Sequence, residues 1–122
     1  EAMTGKVSII GTFERFTIRS APSHLAPFHV FVQLVEGVGR YDIIVEVHDL
    51  RNDVVIARAP AIGVQWTEKL QKLNVLIPVP PLPVQHTGSY DLVVFANAIP
   101  IDRQRFEVVA LAEMTDGDNP KG

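Results

Sequence analysis

The chain has 122 residues, no cysteine and a formal net charge of −3, with 47% hydrophobic and 20% charged residues. This length fits one folded domain, and the hydrophobic fraction excludes a disordered chain. The missing cysteines exclude disulfides, thiolate nucleophiles and cysteine-ligated metal centres. The slightly acidic balance disfavours a nucleic-acid-binding protein, since such domains are usually strongly basic.

Apolar residues recur at every second position along most of the chain, which is the period of a β-strand. Residues 6–10 and 13–18 flank Gly11 and are predicted to form one kinked or bulged first strand. Alternating runs follow at residues 28–35, 41–48, 54–57, 72–79, 90–96 and 105–109. Asn97 and Ala98 are predicted to join the last two runs as a hairpin. Short strands separated by turns predict an all-β fold.

One segment departs from this alternation. Trp66, Leu70 and Leu73 follow helical spacing, whereas Val64 and Trp66 also fit a strand. A short helical turn and an irregular crossing both remain open for this segment.

The ends of the chain and its prolines complete the organisation. The prolines of residues 78–83 predict a stiff polyproline connection, with docking to an SH3-like partner as the minor alternative. We expect residues 1–113 to form a single domain and residues 114–122, rich in Asp, Gly, Asn and Pro, to be disordered.

The most specific fold signal surrounds Tyr90. Gly88 lies two residues before it, at the entry to an apolar run, which resembles the tyrosine corner of immunoglobulin-like domains. There the hydroxyl bonds to backbone a few residues upstream. Leu92 takes the position where antibody domains have a cysteine. The pattern predicts an immunoglobulin-like or fibronectin-like β-sandwich of about seven or eight strands, held by packing alone.

Residues 5–15, with the sequence GKVSIIGTFER, resemble the opening GK…IIG.F(D/E)R of an uncharacterised bacterial family of small immunoglobulin-like β-sandwich proteins. The ending is similar too, with Gly88, Tyr90 and Leu92 followed by a last strand that mixes basic and acidic residues. The resemblance implies the sandwich fold. It implies no activity, cofactor or catalytic residue.

No constellation of residues predicts catalysis or metal binding. The four histidines lack the spacing of metal ligands, and His48 with Glu46 or Asp49 is the nearest approach to a site. We therefore expect no enzyme and no cofactor. No signal peptide or membrane-spanning segment is visible, so we expect a cytoplasmic protein that binds neither membranes nor nucleic acid.

The strand pattern predicts apolar residues on a face that points away from the core. If residues 41–48, 90–96 and 104–111 share a sheet, Ile44, Val93 and Phe95 lie together on that face. An exposed apolar patch marks an interaction surface, and a symmetric dimer, or a complex with another protein, would bury it. The predicted rim of this interface is formed by His48, Asp91, Arg105 and Glu107.

Two alternatives to the interface prediction remain. In the first alternative, a loop, the N-terminal segment or Trp66 covers the patch, and the patch is then buried within the fold. In the other alternative, the loops at residues 37–41 and 97–100 bind a small ligand or a carbohydrate at one end of the sandwich.

Overall fold

The computed structural model describes residues 7–10, 15–35, 39–68 and 72–111, with the backbone alone for residues 7–10 and 35. This part of the chain is all-β and contains eleven strands. The strands are β1 (Val7–Ile10), β2 (Arg15–Ile18), β3 (Ser23–Leu25), β4 (Phe28–Val35), β5 (Gly39–Asp49), β6 (Val54–Arg58), β7 (Ile62–Trp66), β8 (Lys72–Val79), β9 (Leu82–Val84), β10 (Gly88–Ala96) and β11 (Ile99–Ala110). Branched and aromatic residues recur in them because such side chains pack well on a pleated surface.

The strands form three sheets. The smaller main sheet has the order β1-β4-β8, and the larger has the order β2-β11-β10-β5-β6, with β7 also paired to β5. A third sheet contains only β3 and β9. Strand β2 runs parallel to β11, whereas β10 is antiparallel to both β5 and β11. The central position of β10 in the larger sheet decides where the residues discussed below lie.

The two main sheets share one apolar core. Alternate residues of each strand point into it, as the burial of Tyr41, Ile43, Val45 and Val47 in β5 shows. Its largest fully buried side chains include Tyr90, Phe106, Leu34, Ile43, Ile77, Leu82 and Leu92. Each large apolar side chain removed from water contributes roughly 1.5–3 kcal/mol. Because the chain has no cysteine, packing rather than a disulfide stabilises this core.

Tyr90 joins the turn before β10 to the core. Its hydroxyl donates a 2.7 Å hydrogen bond to the backbone carbonyl of His86, four residues earlier, so the predicted bond to upstream backbone is confirmed. The Tyr90 ring lies 5.3 Å from the His86 ring and 5.6 Å from the Phe106 ring, stacked on both. Gly88 has a φ of +127°, a conformation that side chains rarely adopt, which explains the glycine at this turn.

The strand prediction needs two corrections at the level of sheets. The predicted first strand is two strands in different sheets, because β1 pairs with β4 and β2 pairs with β11. Gly11, the predicted kink, lies outside the described residues. The described strands outnumber the predicted seven or eight, because short β3 and β9 pair with each other and long β5 pairs with both β6 and β7.

The segment around Trp66 and the proline run at residues 78–83 are also largely in strands. Ile62–Trp66 form β7, and a bend follows at residues 67–68, while Leu70 lies outside the described residues. In the proline run, Pro78 belongs to β8, and Pro83 belongs to β9. Proline lacks an N–H and is tolerated at sheet edges, and β8 is the last strand of its described sheet. The predicted tail at residues 114–122 lies outside the described residues.

Within the described ranges, no helix has the length and apolar character needed to cross a bilayer.

Candidate interaction surface

We call the face of the larger sheet that points away from the core the outer face. At its centre, alternate residues of β5, β10 and β11 lie in three rows across the sheet. The first row is Ile44, Phe95 and Pro100; the second is Glu46, Val93 and Arg103; the third is His48, Asp91 and Arg105. The strand pairing thus brings together six of the seven residues predicted for the interface, and the seventh, Glu107, lies two residues beyond Arg105, opposite Ser89.

The first row is apolar and partly accessible to solvent. Ile44 and Phe95 are half-buried, and Pro100 is exposed. Among the described residues, neither Ile44 nor Phe95 belongs to the core cluster or to the partly buried residues packed against it. The row therefore offers apolar surface that the core does not use.

A two-residue turn holds the end of β10 that carries Phe95. Asn97 and Ala98 have φ values of 49° and 69°, as expected for the type I′ turn of a tight hairpin, so the predicted hairpin is confirmed. The Asn97 side-chain oxygen accepts a 2.9 Å hydrogen bond from the Asp42 N–H, and the Asn97 N–H donates a 3.0 Å bond to the Asp42 carbonyl. The turn is thus tied to β5 as well as to β11.

A β-bulge follows the hairpin and decides which β11 side chains reach the outer face. The register of β10 against β11 shifts between Val94 and Phe95, which leaves Ile101 as the extra residue. Ile101 packs against the core. After the shift, Arg103 pairs with Val93 and therefore lies on the outer face.

Val93 is less accessible than the sequence predicted. It is 1% exposed although it points away from the core. In register it lies between Glu46 and Arg103, and long charged side chains cover apolar surface with their stems while their charged ends stay in water. The accessible apolar patch is therefore Ile44 and Phe95, extended by Pro100.

Asp91 is a buried carboxylate on the outer face, only 1% exposed. Its Oδ2 accepts a 2.8 Å hydrogen bond from Arg103 Nη1, and its Oδ1 accepts a 2.7 Å bond from Arg105 Nε. Burial alone raises the pKa of Asp91, but the guanidinium groups of Arg105 and Arg103 outweigh it and hold this pKa below 3.8. The arginine side chains remain 55% and 59% exposed, so they present their charge to solvent.

Glu46 forms the acidic end of the second row. Its Oε1 lies 2.9 Å from His48 Nε2, and its Oε2 lies 3.5 Å from Arg58 Nε. Because a carboxylate only accepts hydrogen bonds, Nε2 of His48 is the donor. The second row therefore runs from an acid on β5, across Val93, to Arg103 on β11.

A second polar cluster lies at the end of β5. Asp49 is 3% exposed, and both its carboxylate oxygens lie 2.8 Å from His86 Nε2. It also accepts hydrogen bonds from the backbone N–H groups of Arg51 and Asn52. Burial alone raises the pKa of Asp49, but the bonds from His86 and the backbone outweigh it and lower this pKa.

Both ring nitrogens of His86 make polar contacts in this cluster. Its Nδ1 lies 2.7 Å from the Thr87 carbonyl while its Nε2 contacts the Asp49 carboxylate. Both ring nitrogens therefore face acceptors, and neither is left to act as a base on a substrate. The cluster stabilises the turn before β10.

Of the loops proposed as an alternative ligand site, residues 97–100 are exposed, whereas Tyr41 in the other loop is buried. Tyr41 is 4% exposed and packs edge to face on Trp66 at 5.4 Å. Trp66 is itself 3% exposed within the core, so it does not cover the outer face. Asn97, in the other loop, is hydrogen-bonded to Asp42. Residues 37 and 38 lie outside the described residues.

The described residues contain no group of three or more acidic, histidine or cysteine side chains that suits a metal ion. Of the two pairs considered from the sequence, Glu46 lies beside His48, whereas Asp49 points to the opposite face of the strand. His48 bonds to Glu46, and Asp49 bonds to His86.

Sequence reasoning left Glu46, Arg103 and Pro100 out of the interface. Strand alternation was enough to place Glu46, since it lies two residues from Ile44 and two from His48. It was not enough for Pro100 and Arg103, because they are three positions apart and regular alternation would place them on opposite faces. Only the bulge at Ile101 brings both to one face.

Comparison with known proteins gives a family and a fold. A family model matches residues 1–109. The chain belongs to DUF6941, a family of unknown function. This confirms the expectation of an uncharacterised family. No curated protein matches the chain.

The DUF6941 chain is also similar to parts of larger solved structures. A mutant β-glucosidase from Listeria innocua in complex with laminaribiose is 14% identical, with a TM-score of 0.56 over 89% of this chain and 17% of that one. The Pseudomonas fluorescens alkylpurine DNA glycosylase AlkC bound to DNA containing an abasic site analog is 8% identical, with a TM-score of 0.55 over 88% of this chain and 31% of that one. At these identities the likeness shows the fold alone.

Proposed function

We propose that this DUF6941 protein is a non-enzymatic interaction module that binds a second copy of itself through the outer face. The observation that carries the proposal is the apolar first row. Ile44, Phe95 and Pro100 lie side by side on three neighbouring strands and point away from the core, with Pro100 exposed and the other two partly exposed. Apolar surface of this kind marks interaction sites, and a symmetric dimer buries the same patch on both copies.

We further propose that the fold is an immunoglobulin-like or fibronectin-like sandwich. The strand orders β1-β4-β8 and β2-β11-β10-β5-β6 around a shared core support this assignment. The hydrogen bond from Tyr90 to the His86 carbonyl supports it as well, since it is the contact of a tyrosine corner. Domains of this architecture commonly use a sheet face for binding.

The titratable groups with shifted pKa values support a role without catalysis. Burial and the charge of Asp49 raise the pKa of Tyr90, while hydrogen bonds lower those of Asp49 and Asp91. Each of these groups is engaged in contacts that hold the fold together. None is presented to a cavity as a free acid, base or nucleophile.

Sedimentation velocity over a wide concentration range tests the proposal. We expect the wild type to form a dimer at micromolar concentration. Phe95→Asp places a charge in the apolar row and should give a monomer. The matched control is Leu76→Asp, because Leu76 is 58% exposed on β8 of the smaller sheet. The control should dimerise like the wild type.

Two results would overturn the proposed function. One is a wild type that remains monomeric at several hundred micromolar. The other is a Phe95→Asp variant that still dimerises while its circular dichroism and thermal midpoint show an intact fold.

A further inference from the structure

We propose that the two copies are related by a two-fold axis that runs along β10, so that Glu46 of each copy faces the partner's Arg103. This inference rests on the proposed self-association and specifies its geometry. It follows from the order of charges along the second row, which the strand pairing fixes.

Strand β10 lies between β5 and β11. Neighbouring strands lie about 4.8 Å apart, so Glu46 on β5 and Arg103 on β11 lie at similar distances on either side of Val93. A two-fold rotation about an axis along β10 exchanges these two sides without moving a residue along the strand. The β11 of one copy then lies over the β5 of the other. The Glu46 carboxylate of each copy therefore faces the guanidinium of Arg103 in the second copy.

The first row fits the same rotation. It places Phe95 over the partner's Phe95 and Pro100 over the partner's Ile44, so apolar groups meet apolar groups. Packed sheets are usually rotated by about 30° relative to each other. This rotation displaces the second row least, because that row lies at the centre of the three.

The other in-plane two-fold axis that keeps the strands of the two sheets aligned runs across the strands. Centred on the second row, it places Glu46 over the partner's Glu46 and Arg103 over the partner's Arg103. It also places Ile44 over the partner's His48. Like charges that face each other in an interface cost several kcal/mol, so with the second row at the centre of the interface the charges favour the axis along β10.

The third row is compatible with the selected axis. Asp91 of each copy faces the partner's Asp91, but each of these buried carboxylates is already bonded to Arg103 and Arg105 of its own chain. The rotation also brings the partner's Arg105 over His48. Nε2 of His48 contacts Glu46 of its own chain, which leaves Nδ1 as the ring nitrogen that can face the partner. Arg105 remains bonded to Asp91 through its Nε, which leaves its terminal nitrogens for the partner.

Charge reversal in a mixture of two variants tests this geometry. Glu46→Arg and Arg103→Glu are purified separately and examined by sedimentation velocity and size-exclusion chromatography with light scattering. Each alone pairs like charges twice in the proposed dimer, and its dimer dissociation constant should rise at least about tenfold. In an equimolar mixture, the two variants pair opposite charges at both positions, so a heterodimer of near wild-type affinity should form.

A second pair of variants controls for general charge effects. Arg51 and Glu68 are exposed and lie outside the three rows. Arg51→Glu and Glu68→Arg should each dimerise like the wild type, alone or mixed. If a reversed variant of Glu46 or Arg103 does not fold, Glu46→Gln and Arg103→Gln replace them. Each should then weaken the dimer, and the double variant should weaken it by less than the product of the two effects.

The outcomes separate this inference from the function on which it rests. Recovery of the dimer in the mixture supports the axis along β10. A wild-type dimer that depends on Phe95 but shows no recovery in the mixture overturns the axis and leaves the proposed function standing. A monomeric wild type overturns both.

Discussion

Substitution of Asp91 tests directly how much its ion pairs on the outer face stabilise the fold. Its carboxylate is 1% exposed and accepts bonds of 2.8 and 2.7 Å from Arg103 and Arg105. Asp91→Asn preserves the size of the side chain but removes its charge. An amide has one oxygen and one NH2 group, so one of the two arginines then faces a donor instead of an acceptor.

The size of the effect follows from these contacts. A hydrogen bond to a charged group contributes about 1.5–3 kcal/mol, and the variant loses one such bond and weakens the other. Both arginines are more than half exposed, so water replaces part of the loss on their side. We expect the free energy of unfolding to fall by about 2–3 kcal/mol. For a domain of this size, the thermal midpoint should fall by about 6–12 °C.

Urea denaturation followed by tryptophan fluorescence measures the change, with the arginine variants as controls. Arg103→Gln and Arg105→Gln should each cost only about 0.5–1 kcal/mol, because Asp91 keeps its other partner. The double arginine variant should lose at least about 2–3 kcal/mol, since it leaves a buried carboxylate unpaired. A double variant within about 0.5 kcal/mol of the wild type would refute the reasoning.

Three further predictions concern stability. Ala98→Gly should raise the free energy of unfolding by about 0.5–1 kcal/mol, because Ala98 has a φ of 69°, and the same change at Ala57 in β6 should lower it in the same urea assay. Tyr90→Phe removes the 2.7 Å bond from the hydroxyl to a backbone carbonyl and should cost about 1–2 kcal/mol, so an unchanged melting midpoint would contradict this role. The pKa values of Asp49 and Asp91 lie below 3.8 in the folded state, so their stabilisation is complete above about pH 5 and is lost as the pH falls through the lowered values. Urea midpoints measured between pH 6 and pH 2 should decline less steeply for Asp91→Asn than for the wild type, and equal declines would count against the assignment.

The features that the sequence predicted correctly depend on residues close together in the chain. Gly88 and Tyr90 indicate a hydrogen bond that spans four residues, and Asn97 with Ala98 indicates a two-residue turn. Alternation within one strand was also sufficient to place Ile44 and His48 on the same face of β5. Each of these features is decided by local geometry, so no knowledge of strand pairing is needed.

The sequence predicted Asp91 and Arg105 at the rim of the outer face, but not the register that pairs them or that brings Pro100 to the same face. Extended from the hairpin without a bulge, the pairing would place Asp91 opposite Gln104 and would turn Arg103 and Arg105 toward the core. The extra residue Ile101 shifts the register by one and reverses their faces. Nothing in the local composition marks Ile101 as bulged, because it is an ordinary apolar residue that packs against the core. The burial of Val93 could not be predicted for the same reason, since it depends on the residues that the register places beside it.

The ion pairs of Asp91 connect the stability of the fold to the proposed dimer. A free arginine side chain carries about 2 kcal/mol of rotamer entropy, which it loses when an interface immobilises it. Arg103 and Arg105 are already held by a buried carboxylate, yet more than half of each side chain remains exposed. Part of the ordering cost is therefore met when the monomer folds, and association is favoured accordingly. The ion pairs that neutralise the buried Asp91 thus also order the basic side of the outer face before a second copy binds.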